Sequence, residues 1–180
     1  MVSKVVDIGL RGLQFLWTLL VMALVGNIIA DANSGNPSII NYDMFVAVFA
    51  MLSIIFLLAS AFTGVMSGTP IPLALDILNT LFFFCGAVAM SAQLGVHSCS
   101  NQGYVKSNGI TNGSDNKPKR CRESQATTAF LWFAFITFAA STFFSAMNAR
   151  AGGVNLRGHG IRKAKEGRKG RMNGGVIRLL

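Results

Sequence analysis

Polar and apolar positions in this chain are segregated into blocks, and the apolar blocks have the length of a membrane crossing. Residues 12–30, 44–66, 77–96 and 124–149 contain no Asp, Glu, Lys or Arg. At about 1.5 Å per residue, roughly 20 helical residues cross a hydrocarbon core of about 30 Å. A segment in lipid must satisfy its own backbone N–H and C=O groups, which an α-helix does. The pattern predicts an all-α integral membrane protein, a four-helix bundle with spans over about residues 8–30, 44–66, 72–96 and 127–148. Residues 1–149 form the membrane domain and residues 150–180 a flexible basic tail. The run Ser67-Gly68-Thr69-Pro70-Ile71-Pro72 breaks the second span from the third, because proline is tolerated in a helix's first turn but not inside it.

The first apolar block needs separating from a secretory leader. Lys4 and Arg11 flank it and Ala30-Asp31-Ala32 faintly resembles a cleavage site. A leader's apolar core is about 7–15 residues, and the run from Leu13 to Ala30 is longer, so it reads as a retained helix.

Composition agrees: a mean hydropathy of +0.49 with 13% charged residues is far from the roughly 25% charge of soluble domains. The net charge of +9 matters through its placement. Residues 150–180 hold nine Lys/Arg against the single acid Glu166, with eight Gly among them. This block adjoins a span, so the nearest polyanion is the membrane surface and nucleic acid is not an expected partner. The expected contact is anionic lipid, through Arg162, Lys163, Lys165, Arg168, Lys169 and Arg171, although the same charges could serve only to fix topology. The tail holds no Ser, Thr, Tyr or Cys, so phosphorylation or palmitoylation within it is excluded.

An even number of spans puts both termini on one side. That side carries eleven Lys/Arg and the other carries five, all within residues 97–123. Cytoplasmic loops carry the excess of positive charge, so both termini are expected in the cytoplasm. Cys99 and Cys121 share the opposite loop, where a disulfide could form in an oxidising compartment; two free thiols are the alternative. The same loop holds the one acceptable glycosylation sequon, Asn112-Gly113-Ser114, since proline disqualifies Asn36-Pro37-Ser38. Cys85, in mid-span, reads as a small packing residue.

Small residues recur every four positions: Ser60, Gly64 and Gly68; Ala87, Ser91 and Gly95; Thr137, Ser141, Ser145 and Ala149. Such ridges let membrane helices approach closely, here within the bundle or between copies as a homo-oligomer. Asp76 is the acid set within an apolar stretch, with Asn79 three residues on and Asn148 ending the fourth span. Its place near the Pro72 helix start suggests an interfacial carboxylate reaching headgroup water, or else a packing or lipid-sensing switch. No zinc-type spacing, phosphate loop or Ser/His/Asp set is present, and His97 and His159 lack partners at ligand spacing. No enzyme activity, cofactor or metal is expected.

Particular residues also resemble a known family. Asn41-Tyr42 precedes the second span, and Leu75-Asp76-Ile77-Leu78-Asn79 lies in the third. His97-Ser98-Cys99, Tyr104-Val105-Lys106-Ser107-Asn108-Gly109-Ile110-Thr111, Cys121-Arg122 and Gln125-Ala126 with Ala129-Phe130-Leu131 follow. Over roughly residues 8–148 these are similar to MARVEL-domain proteins, and to the fungal non-classical export protein family associated with eisosomes. The resemblance implies a multi-pass plasma-membrane protein that organises eisosome-type lipid microdomains and responds to sphingolipid. It also implies cytosolic BAR-type coat proteins as partners, and the family's name implies a role in export without a signal peptide. The tail is longer and more basic than that family leads one to expect. Claudin-like and tetraspanin patterns fit less well, since residues 31–43 have neither Trp nor Cys and no Cys-Cys-Gly motif occurs. The rival class is a small transporter or channel subunit using Asp76.

Overall fold

The computed structural model describes residues 4–63 and 69–151. Four long helices dominate it: α1 (Lys4–Ala30), α2 (Ser38–Thr63), α3 (Ile71–Leu94) and α5 (Lys117–Ala151). Between the last two lie the short α4 (Gln102–Ser107) and a 3₁₀ turn over Thr111–Gly113. All four long helices are long and apolar enough to cross a membrane. At about 1.5 Å per residue, the 24 residues of α3 alone reach about 36 Å.

Among the described residues of the long helices, the most extensive contact is α3 with α5, followed by α1 with α5 and α1 with α2, and the α2–α3 seam is the slightest. The helices therefore stand in a square, ordered α1–α2–α3–α5, with α1 and α3 on one diagonal. The core follows one face of each helix. Val21, Val25 and Ile28 of α1 meet Val46, Ala50 and Ile54 of α2, Phe83 and Met90 of α3, and Leu131 and Phe138 of α5. Phe83 and Phe138 stack with ring centroids 5.3 Å apart at the α3–α5 seam. Large apolar side chains such as Leu52, Phe62, Ile136 and Phe143 point outward, where lipid covers them.

The small-residue ridges of α3 and α5 are used inside the bundle. Ala87 and Ser141 are buried, and Ser91 accepts a hydrogen bond from the Trp132 indole at 3.2 Å. Gly64 and Gly68 lie outside the described residues.

Helix boundaries depart from the charge-free stretches in an informative way. α1 begins at Lys4 and carries Asp7 and Arg11 within it, because the two charges compensate each other and a third group. α2 begins at Ser38, directly after Pro37, so Asp43 lies inside the span and not before it. α3 stops at Leu94 because Gly95 takes a positive φ of 62°, which ends the helical ladder. α5 begins ten residues before the expected Thr127, with Pro118 in its first turn, and its charged start stands in the loop assembly above the bundle. Cys85 is also corrected: it is exposed on the outer side of α3, since Phe83, Gly86 and Ala87 occupy the inward face.

Candidate functional site

The polar chemistry of the bundle is concentrated at its two ends. At the end where α1 starts and α5 finishes, α1 presents Asp7, Arg11, Gln14 and Thr18 at spacings of four, three and four, which places them on one helical face. The same face continues as Val21, Val25 and Ile28, so its polar part stops where the apolar core begins.

Arg11 reaches across the diagonal to α3. Its guanidinium donates from Nη1 to Asp76 Oδ1 at 2.5 Å and from Nη2 to Asp76 Oδ2 at 2.9 Å, a bidentate pair. Arg11 is 3% exposed and Asp76 0%. Ser145 of α5 donates a further hydrogen bond to Asp76 Oδ2 at 3.1 Å. Gln14 accepts from Arg11 at 3.1 Å and donates to the Ser141 hydroxyl at 2.7 Å and the Thr137 carbonyl at 3.2 Å. Half-exposed Asp7 approaches Arg11 Nε at 3.7 Å from one helical turn away. One ion pair and its relays thus tie α1, α3 and α5 together.

This arrangement overturns two sequence expectations. Asp76 does not reach headgroup water, and Arg11 is not a flanking surface cation; each is buried because the other neutralises it. Asn79, though fully buried, does not join the pair: its amide donates to the Leu75 carbonyl at 2.9 Å. Asn148 is exposed at the helix end. The partner of Asp76 was hidden by 65 residues of separation, but the four-three-four polar face on α1 was a local signal for it.

The opposite end is a folded cap. Cys99 and Cys121 are joined by a disulfide, with Cα atoms 5.7 Å apart, around buried Val105 and part-buried Tyr104. The Tyr104 hydroxyl donates to the Leu94 carbonyl at the end of α3, and its ring packs on His97 at 4.5 Å. Partial burial pushes the Tyr104 phenol up from its ordinary value, which keeps it a donor. Arg120, one of the five cations within residues 97–123, is 1% exposed. Its guanidinium donates to the Ile110 and Ile28 carbonyls, each at 2.7 Å, and to Asn36 Oδ1 at 2.9 Å. Gly113 lies flat on it, since a Cβ there would stand 3.3 Å from the guanidinium carbon. Around this centre Asn27 donates to Glu123 at 2.6 Å, and Lys119 pairs with Asp31 at 2.6 Å. In the sequon, Asn112 is exposed while the Ser114 hydroxyl residue is 2% exposed.

Asp43 is a further buried polar group within the bundle. Asp43 of α2 is 0% exposed, and neither carboxyl oxygen has a hydrogen-bond partner among the described residues. It faces Gly86 of α3. Among the described residues no group of three or more His, Cys, Asp or Glu could hold a metal. The tail residues Arg162, Lys163, Lys165, Arg168, Lys169 and Arg171, and His159, lie outside the described residues.

Comparison with known proteins adds the relatives. The MARVEL family, a membrane-associating domain, matches residues 4–144. The chain is 37% identical over 165 residues to non-classical export protein 102 of Candida albicans, covering 88% of this chain and 91% of that protein. It is 30% identical over 168 residues to non-classical export protein 2 of Saccharomyces cerevisiae, covering 89% and 91%. A Schizosaccharomyces pombe homologue of the latter is 32% identical over 133 residues, 73% of this chain and 71% of the other. No solved structure matches the chain.

Proposed function

The chain belongs to the MARVEL family of membrane-associating domains, alongside fungal non-classical export proteins, and from that premise we propose that it organises eisosome-type lipid microdomains in the plasma membrane, responding to sphingolipid and catalysing no reaction. The observation that carries this reading is the direction in which the charge faces. Arg11 and Asp76 spend their charges on each other and on holding three helices together, while the outward faces are apolar. Such a body works through the lipid it touches. A carrier needs polar groups along a path through the bundle, yet the polar face of α1 gives way to Val21, Val25 and Ile28. The stacked Phe83 and Phe138 stand between the two ends on α3 and α5.

In this reading both termini are cytosolic. Burying Arg11 removes one cation from that side and burying Arg120 removes one from the other, so the excess that favours this orientation is unchanged. The basic tail then meets the anionic inner leaflet, where BAR-type coat proteins would also assemble.

Imaging a tagged chain in live cells before and after sphingolipid depletion tests the reading. Plasma-membrane patches that redistribute on depletion are expected; diffuse signal indifferent to depletion would overturn it. Ion or solute flux through liposomes holding the purified chain would instead establish the carrier class.

The printed names of the relatives favour a second reading, a factor in export without a signal peptide. Its mark is a loss of a leaderless protein from the medium when the chain is deleted, with patch organisation intact.

A further inference from the structure

We propose that Asp43 is a proton-binding site that latches the α2–α3 seam: with its proton it seats against Gly86 and the seam is closed, and without it the two helices part. The inference starts from burial. Asp43 is 0% exposed and both its carboxyl oxygens lack a hydrogen-bond partner among the described residues. A neutral acid tolerates such a place far better than a carboxylate, whose charge would stand in an apolar interior with nothing to offset it. Contrast Asp76 at the other end, which is equally buried but held by a bidentate arginine and a serine.

Among the described residues no neighbouring element supplies a cation to Asp43. On its own helix the adjacent titratable group is Tyr42, whose hydroxyl donates to the Phe82 carbonyl at 3.1 Å. From α3 it is Cys85, beside Gly86. On α1, residues 12–30 carry no titratable side chain. On α5, across the diagonal, Arg120 is engaged by Ile28, Ile110 and Asn36, and Glu123 by Asn27.

The seat itself is specific. A Cβ on residue 86 would lie 2.6 Å from Asp43 Oδ1, so only glycine lets the carboxyl lie against the α3 backbone. Among the described residues, the helix pair concerned makes the slightest of the four seams between long helices. Asp43 also sits five residues past the start of α2, about 7.5 Å in, within reach of water from the capped end once the seam opens. The step balances simply: the carboxyl O–H bond breaks, the proton passes to water, and the electron pair stays on Asp43.

The full chain in liposomes provides the test. In the infrared spectrum, wild type minus Asp43→Asn should contain a protonated-carboxyl band that disappears on raising pH. Over the same pH range, hydrogen exchange in α2 and α3, normalised to the intrinsic rate, should rise at least several-fold in wild type and stay flat in Asp43→Asn. Gly86→Ala should show the open-seam exchange at every pH, and adding Asp43→Ala to it should restore protection by removing the clash. Formation of the Cys99–Cys121 disulfide reports that each variant has folded. A spectrum with no protonated-carboxyl difference, or exchange in wild type that tracks Asp43→Asn at all pH values, would overturn the proposal.

Discussion

Arg11 and Asp76 sit on diagonal helices of the square, so their bidentate contact is a cross-brace that no neighbouring pair of helices could provide. An arginine is long enough to span that diagonal, and its fork matches both carboxylate oxygens. The brace lies near one end of the bundle, and the disulfide-closed cap holds the other.

Removing one partner leaves the other charge buried and unpaired, which typically costs about 3–5 kcal/mol. Arg11→Met and Asp76→Leu should each lower the unfolding free energy of the purified protein by that order. The double variant Arg11→Met with Asp76→Leu should recover most of the loss, since apolar groups of similar volume can replace a buried pair. Detergent-titrated unfolding checks it; two single losses that simply add in the double variant would show that the residues do not act as a pair. Asp76→Asn keeps the shape without the charge, and its patch pattern under sphingolipid depletion reports whether the brace matters to lipid response.

At the capped end, thiol labelling of unreduced protein from intact cells should leave Cys99 and Cys121 unmodified. Closing a separation of 22 residues is worth roughly 3 kcal/mol in the chain-entropy treatment, so Cys99→Ser should destabilise by that order. Labelling of both cysteines without reductant would contradict the pairing. Asn112 gives a linked readout of sidedness. A glycosidase-sensitive mobility shift lost in Asn112→Gln would put the cap outside the cytoplasm.

Arg120→Ala should orphan three acceptors, two carbonyls and the Asn36 side chain. Each unsatisfied buried group costs about 1–3 kcal/mol where water cannot enter. The expected result is faster proteolysis and hydrogen exchange in residues 97–123, with the helices still inserted. Arg120→Lys should rescue it only in part, because an ammonium lacks the planar fork that reaches three acceptors in three directions. Equal protection in Arg120→Ala and wild type would mean that the disulfide alone holds the cap.

The four spans were legible because lipid imposes a simple rule: a stretch without charge and long enough to cross will be a helix. The same rule misplaced the edges wherever a charge was buried. Asp43 and Arg11 each fall one residue outside a charge-free stretch, since composition cannot tell a solvated charge from a compensated one. The pairing of Arg11 with Asp76 depends on how helices are arranged around the square, which no local pattern encodes; only the Asp7, Arg11, Gln14, Thr18 face hinted at it. The cysteine pair was readable because two cysteines outside the spans share one loop. Arg120 was not, because a loop cation and the hydrogen-bonded centre of a cap look alike until the loop is folded.

The tail carries the remaining prediction, and it rests on sequence alone. Residues 150–180 hold nine Lys/Arg and one Glu, beginning where α5 leaves the bundle. Near an anionic leaflet each basic residue contributes on the order of 1 kcal/mol, and the effect fades within a Debye length. That length falls from about 10 Å at 0.1 M salt to about 3 Å at 1 M, so binding should weaken steeply as salt rises. A synthetic peptide of residues 150–180 should bind liposomes containing phosphatidylserine or phosphoinositide and largely ignore neutral ones. Replacing Arg162, Lys163, Lys165, Arg168, Lys169 and Arg171 by Gln should remove most of that preference, while the full-length variant still inserts its spans. Equal binding to neutral and anionic liposomes, or indifference to salt, would falsify the electrostatic reading and leave the basic run as a signal for membrane orientation.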